Sequence, residues 1–143
     1  MSYLLGIDVG TTRTAAAIGR MGANPGEIEM VNLGDRASSV PSVLFLGVDG
    51  SVLVGEVAER RAATDPDRVV REFKRRLGDP TPFVVGGRAW APEELSARLV
   101  RWVVDRVAER EGGPAARVAV THPASWGEHK KKLLAGALAG QGL

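Results

Sequence analysis

The stretch Gly6-Ile7-Asp8-Val9-Gly10-Thr11-Thr12 decides the fold of this 143-residue chain. The apolar residues from 3 to 9 predict a strand, and a second short strand over about 13–19 predicts a β-hairpin around the turn. An acid at the end of a buried strand, then a glycine and two hydroxyl residues, supplies what a phosphate and its magnesium need. The same residues also suit an ordinary hairpin turn. Since the chain has no Gly-x-x-x-x-Gly-Lys-Ser/Thr run, this is not a strand-to-helix P-loop.

Composition predicts one ordinary globular domain. The chain is 44% hydrophobic and 25% charged, with no cysteine, which excludes collagen-like, disordered and disulfide-rich classes. Its net charge of +2 is scattered and only 5% of residues are aromatic, so we do not expect a nucleic-acid partner. The N-terminus lacks signal-peptide features and no apolar run reaches the roughly 20 residues of a membrane span, so we expect a cytoplasmic protein without a membrane partner.

The elements after the first hairpin alternate between strands and helices. The pattern predicts a third strand over 27–33, a hairpin of 42–46 with 52–54, helices over 55–63 and 65–78, a hairpin over 83–90, a helix from Pro92 to Gly112, a buried strand over 118–120 and a last helix to about Ala139. The last helix is predicted to open with the capping box Ser125-Trp126-Gly127-Glu128.

This order indicates an α/β fold with a mixed sheet, flanking helices and an insertion. A strand that follows a long helix joins the first sheet beside strand one by a crossover. We therefore predict a phosphate-binding subdomain made of 1–38 and 92–143. Residues 39–91 are predicted to form an inserted small α+β subdomain.

An ordered series of motifs shows a resemblance to one family. Besides 6–12, the series consists of Ser39-Val40-Pro41-Ser42-Val43, Val54-Gly55-Glu56-Val57-Ala58, Phe73-Lys74-Arg75-Arg76-Leu77-Gly78, Pro92-Glu93-Glu94-Leu95-Ser96-Ala97 and Val118-Ala119-Val120-Thr121-His122-Pro123-Ala124. In these motifs nearly the whole chain resembles the start of the ATPase domain of DnaK-type (seventy-kilodalton heat-shock) chaperones. The resemblance implies lobe one of an actin-like, ribonuclease H-like ATPase fold, truncated before the second lobe.

The resemblance also implies a nucleotide site for ATP or ADP with Mg²⁺. Asp8 would hold the magnesium through water, and Gly10, Thr11 and Thr12 would contact the β- and γ-phosphates. Lys74 would act with Asp8 in catalysis by reaching the γ-phosphate and the attacking water, where negative charge develops. Without the neighbouring loop and the shared Phe-Lys-Arg sequence, a solvated basic last turn of a helix would be the favoured interpretation of Lys74.

Other positions match the family less closely. Arg75 matches a family arginine near the nucleotide, whereas Arg13 stands where an uncharged residue is usual and could either add charge for the phosphates or point to solvent. Pro123 matches a proline that relays nucleotide state, with Lys131 in place of its usual arginine partner. The changes from Ser125 to Glu128 put that relay in doubt. The run 130–132 is predicted to be a solvated helix face, and we assign no site to either histidine.

The resemblance implies a chaperone of the stress response, in which ATP hydrolysis is coupled to protein folding. Its partners in the full protein would be unfolded peptide clients, a J-domain co-chaperone and a nucleotide-exchange factor. The family's adenosine-binding segment and second lobe lie beyond Leu143, so we expect little or no ATP turnover by this chain alone, and an apolar edge that could support self-association. Two alternatives stay open: the N-terminal lobe of a carbohydrate kinase, and a non-catalytic interaction module.

Overall fold

The first two strands form the predicted hairpin. The computed structural model describes residues 2–20, 27–34, 38–122 and 126–143. Strand β1 (Tyr3–Val9) pairs antiparallel with β2 (Arg13–Arg20), and Asp8 lies opposite Ala15. Buried and exposed residues alternate along β1, because successive side chains point to opposite faces of a sheet. This alternation leaves Asp8 on the exposed face, next to the turn.

Within the described residues, the hairpin belongs to a five-stranded mixed sheet. Strand β3 (Glu29–Met30) and strand β4 (Val40–Pro41) both pair antiparallel with β2, and β10 (Arg117–Val120) pairs parallel with β1. The prediction that a third strand follows the hairpin in the same sheet is confirmed, as is the predicted crossover that brings the last strand beside β1.

Two predictions about strands in this sheet were wrong. The third strand has two residues rather than the predicted 27–33, because Leu33 donates its amide to Ser38 (3.2 Å) and the chain leaves β2 there. The last strand was predicted to be buried, yet it is largely exposed, since it lies at the edge of the sheet with β1 on one side.

The inserted region contains a three-stranded sheet and a small hairpin in the described part of the chain. Strands β5 (Val43–Leu46), β6 (Val52–Val54) and β7 (Val69–Arg71) form the sheet, in which β5 is central. Helix α1 (Glu56–Arg61) follows β6, and β8 (Phe83–Val85) pairs with β9 (Arg88–Trp90). Both predicted hairpins and the first predicted helix are confirmed, and the helix is shorter than its predicted range.

The helix predicted over 65–78 was wrong. The chain forms a 3₁₀ turn (Pro66–Arg68), then β7, then a second 3₁₀ turn (Phe73–Arg76). Val69 and Val70 are β-branched residues that favour strands, and Val70 is buried opposite Leu44 of β5. Sheet pairing therefore prevails over the proline and acidic signals that mark a helix start.

Two helices complete the described structure outside the inserted region. Helix α2 (Pro92–Glu111) ends at Gly112, whose φ of 80° provides a left-handed cap, and Leu95, Leu99, Val103 and Val107 are buried on its predicted face. Helix α3 (Glu128–Gly140) begins two residues later than the predicted capping box requires. Gly127 is its N-cap residue, with no side-chain cap, and Ser125 lies outside the described residues.

One cluster of buried side chains runs from the five-stranded sheet into the insertion. It includes Tyr3 and Ile7 of β1, Leu44 of β5, Phe73 of the second 3₁₀ turn and Leu99 of α2. The division into 1–38 with 92–143 and 39–91 stays a prediction. Among the described residues, no helix is long and apolar enough to cross a membrane.

Candidate functional site

A tight turn joins β1 to β2. The Gly10 amide donates to the Arg13 carbonyl at 2.9 Å, which closes the turn and places Thr11 and Thr12 at its tip. A Cβ at Gly10 would lie 2.4 Å from that same carbonyl oxygen, so no other residue fits without moving the backbone. The glycine is therefore required by the close approach of the Arg13 carbonyl within the turn.

The buried residue Ser42 holds this turn through hydrogen bonds. The Ser42 hydroxyl donates to the Gly10 carbonyl at 2.8 Å and, since its proton is used there, accepts from the Thr14 hydroxyl at 2.8 Å. The Ser42 amide also donates to the Thr12 carbonyl at 2.8 Å. Sequence reasoning did not assign Ser42 a role, although it lies in one of the motifs that carried the resemblance.

Arg13 lies along the same supporting segment. Its Nε donates to the Ser39 hydroxyl at 2.7 Å and its Nη2 to the Ser39 carbonyl at 2.9 Å. Two of its five donors are thus used within the protein, and the others stay available in an exposed position. Arg13 is exposed and also lines the cleft described below, so both alternatives stated for its guanidinium stay open.

An open cleft of about 410 Å³ begins at the turn. The turn residues Thr11, Thr12 and Arg13 line one side of it, and Arg71 and Glu72 lie on the other. Arg75, the predicted family arginine, is exposed on the second 3₁₀ turn and is not among the residues that line this cleft. Sequence reasoning missed Arg71, which would have required knowing that 69–71 is a strand rather than a helix.

Asp8 is held in place by a residue from β10's end. Thr121 donates its hydroxyl to Asp8 Oδ1 at 2.8 Å, and its amide extends the parallel pairing by donating to Ile7 at 3.0 Å. Among the described ranges, no three His, Asp or Glu side chains are grouped closely enough to bind a metal by themselves. A divalent ion at Asp8 would need waters and ligand oxygens to complete its shell, which fits the hard, hydrated character of magnesium.

Lys74 reaches this site from the inserted region. Its half-buried ammonium donates to the carbonyl of Val9, the last residue of β1. The second 3₁₀ turn thereby places a cation next to the strand end that carries Asp8. The structure brings together Asp8, Gly10, Thr11, Thr12 and Lys74, which are 66 positions apart at most in the sequence.

One of the two predicted relay residues, Lys131, pairs with Glu128 at 3.6 Å on the surface of α3. The other, Pro123, lies outside the described residues. Lys130, predicted to be solvated, packs its methylene groups against Gly78: a Cβ there would lie 3.1 Å from Lys130 Cε. Lys132 is exposed, as predicted.

Comparison with known proteins identifies related sequences. Residues 4–84 match the family model described as Hsp70 protein. The chain is 32% identical over 145 residues to the chaperone protein DnaK of Cenarchaeum symbiosum (strain A), covering 98% of this chain and 22% of that protein. It is 34% identical over 145 residues to the chaperone protein DnaK of Elusimicrobium minutum (strain Pei191), covering 98% and 23%. The chain thus spans less than a quarter of the length of these curated relatives.

Proposed function

The chain belongs to the Hsp70 protein family and is homologous to the N-terminal ATPase region of DnaK chaperones, and we propose that it forms the phosphate-binding wall of an ATP site. The observation that carries this proposal is the contact of the Lys74 ammonium with the Val9 carbonyl. It places a cation, a carboxylate and a glycine turn at one end of β1. These are the groups that phosphoryl transfer requires: positioning donors, a metal anchor and a positive charge.

Each group has a separate role in the proposed site. The exposed carboxylate of Asp8 holds the water shell of Mg²⁺, and Thr121 fixes its orientation through the hydrogen bond to Oδ1. The backbone of Gly10, Thr11 and Thr12 contacts the β- and γ-phosphates. Lys74 neutralises charge at the γ-phosphate and orients the attacking water, while Mg²⁺ supplies the remaining charge neutralisation when bound.

Two arginines add positive charge to the proposed nucleotide site. Arg13 keeps three donors beyond its Ser39 contacts and extends the phosphate-binding edge. Arg75, carried over from the family, stays a proposed nucleotide contact in the closed form of a longer protein. Since one wall of the cleft alone excludes water poorly, the isolated chain should turn over ATP slowly or not at all.

The role in a whole protein follows from the family. A DnaK-type chaperone couples ATP hydrolysis to peptide affinity, so the proposed partners are unfolded peptides, a J-domain co-chaperone and a nucleotide-exchange factor, in a cytoplasmic setting. The proposed fold is an actin-like, ribonuclease H-like lobe with 39–91 as its inserted subdomain. Pro123 and Lys131 are the proposed relay between the nucleotide and the surface.

Calorimetric titration of MgATP tests the nucleotide site. We expect binding by a version of the chain extended to the whole ATPase domain, weakened at least about tenfold by Asp8→Ala because the magnesium anchor is lost. Asp105→Ala is the matched control, since Asp105 is an exposed aspartate on α2 whose ion pair within the described ranges is with Arg101, one turn earlier. Failure of the extended form to bind would contradict the ATPase proposal and leave the interaction module.

Lys74 is tested by the rate of hydrolysis. In the extended form, Lys74→Ala should lower kcat by about 10²–10³, the usual cost of losing one preorganised charge at the reacting centre. Affinity for MgATP should change far less, because Lys74 acts most strongly in the transition state. Lys132→Ala, on the exposed face of α3, should leave kcat unchanged. Equal losses of affinity and rate would assign Lys74 to ground-state binding instead.

A further inference from the structure

A small chamber lies directly behind the Lys74 ammonium. It has a volume of about 10 Å³, is partly open, and lies between the ends of β1 and β10, the second 3₁₀ turn, α2 and α3. Val9 and Lys74 line it, as do Thr121 and Ser96, and the rest of its lining is apolar apart from the indole N–H of Trp126. The chamber therefore adjoins both the Lys74–Val9 contact and the threonine that orients Asp8.

Ser96 is the unexplained group in this chamber. It lies on the buried face of α2, is 3% exposed, and its Oγ makes no hydrogen bond within the described part of the chain. A serine inside a helix usually bonds to the carbonyl four residues earlier or points to solvent. Ser96 does neither, although burying a hydroxyl without a partner is unfavourable.

The size and polarity of the chamber match one water molecule. A buried water needs a cavity of about 10–15 Å³ and two to four polar partners. The Lys74 ammonium keeps two donors beyond its bond to Val9, the Ser96 hydroxyl can donate and accept, and the Thr121 oxygen keeps a lone pair beyond its bond to Asp8. These three groups surround the chamber and are of the required types.

We propose that Ser96 holds one water in this chamber and that this water positions the Lys74 ammonium at the end of β1. Ser96 is then a positioning residue, since it acts on the site through Lys74 rather than by contact with a ligand. The water site follows from the geometry of this chain alone. Its consequence for phosphate chemistry rests on the proposed function.

Crystal structures that define ordered waters test the water site. We expect a water within hydrogen-bond distance of both Ser96 Oγ and Lys74 Nζ in the wild-type chain, and none there in Ser96→Ala. Ser51→Ala is the control, because the Ser51 hydroxyl bonds Asp49 within the distant β5–β6 turn, and this variant should keep the water. A dry chamber in the wild type, or Ser96 bonded to the Pro92 carbonyl, would overturn the proposal.

Proton exchange of the Lys74 ammonium tests the positioning role in solution. By ¹H–¹⁵N NMR of the wild-type chain, the Lys74 ammonium should show a cross-peak and a water contact of long residence. In Ser96→Ala we expect its exchange to be about tenfold faster, because a held water no longer shields it. The same exchange rate in both proteins would refute positioning through the water.

Turnover separates this inference from the proposed function. In the version extended to the whole ATPase domain, Ser96→Ala should lower kcat about tenfold and leave KM for ATP within about twofold. Unchanged kcat after loss of the water would overturn the positioning role. If the wild-type extended form binds no MgATP, the proposed function fails, while the structural and exchange results still decide the water site.

Discussion

Gly10 shows how one residue determines the geometry of the candidate site. Its missing side chain allows the β1–β2 turn to close on the Arg13 carbonyl, and that closure presents Thr11 and Thr12. Ser42 then holds the turn from the protein side through its bond to the Gly10 carbonyl. Both residues act on backbone atoms, so changes at either should affect folding as well as ligand binding.

A methyl group at Gly10 should therefore be costly. Gly10→Ala places a Cβ 2.4 Å from a backbone oxygen, and we expect a loss of about 1–3 kcal/mol in the free energy of unfolding. Gly19→Ala is the control, because Gly19 lies in the same hairpin and a Cβ there meets nothing within 4 Å. Urea denaturation of the two variants measures the difference. Equal effects would mean that the turn relaxes freely.

The Thr14–Ser42 pair should show coupled energetics. Ser42→Ala leaves both the Thr14 hydroxyl and the Gly10 carbonyl without this partner and should cost about 1–3 kcal/mol, whereas Thr14→Val leaves Ser42 its bond to Gly10 and should cost less. The double variant should cost less than the sum, with a coupling of about 0.5–3 kcal/mol measured by urea denaturation in a double-mutant cycle. Strict additivity would show that the two hydroxyls do not form one network.

At the scale of elements, the segment from β7 to the second 3₁₀ turn places Lys74. Val70 anchors β7 to β5, and Glu72 then turns the chain with a φ of 52°, which is left-handed backbone. The turn carries Phe73 into the core and Lys74 to the end of β1. A continuous helix over 65–78 would not reverse direction at Glu72, so the path of the backbone decides where the cation lies.

The strain at Glu72 predicts a stabilising substitution. Left-handed backbone costs a non-glycine residue about 1–2 kcal/mol, and glycine loses about 0.4–1 kcal/mol more through the unfolded state. Glu72→Gly should therefore raise the free energy of unfolding by up to about 1 kcal/mol. Glu109→Gly, at an exposed position inside α2, should lower it by about 1 kcal/mol. Thermal or urea unfolding checks the opposite signs.

At the scale of the whole molecule, long-range polar contacts join the sheet to α2. Tyr3 donates its hydroxyl to the Gly113 carbonyl at 2.8 Å, and Arg20 at the end of β2 pairs with Glu111 at the end of α2. The hydrogen bond from Arg20 lowers the pKa of Glu111, with its positive charge adding to the effect and burial partly opposing it. This ion pair joins the C-terminal end of the long helix α2 to the end of strand β2.

Acid should weaken this connection. Because the pKa of Glu111 is lowered on folding, its contribution to stability is complete above its ordinary value of about 4.3 and is lost as the pH falls through the lower value of the folded state. Glu111→Gln should flatten the pH dependence of unfolding below about pH 4.3. Glu109→Gln is the exposed control on the same helix. Urea midpoints measured from pH 3 to 7 would contradict this if both variants kept the wild-type slope.

Local patterns alone predicted most of the secondary structure and the turn between β1 and β2. Alternation in 3–9, the Asp49-Gly50 turn and the apolar stripe of α2 act over a few residues, so they are visible in the sequence. Over 65–78 these patterns predicted a helix that does not form, because the signals for a helix start compete with strand pairing to β5. The prediction that the last strand is buried was also wrong, because a short apolar run does not show whether a neighbouring element covers it.

The sequence by itself determined the hairpin, the long helix, the Gly10 turn and the resemblance that pointed to Asp8 and Lys74, since these depend on neighbouring residues or on motif order. Only the tertiary structure decided that Arg71 rather than Arg75 lines the cleft, that Ser42 and Thr121 hold the site, and that Ser96 faces a chamber behind Lys74. The physical reason is range: these contacts join residues 22 or more positions apart, or depend on a strand that forms only when β5 is present to pair with it.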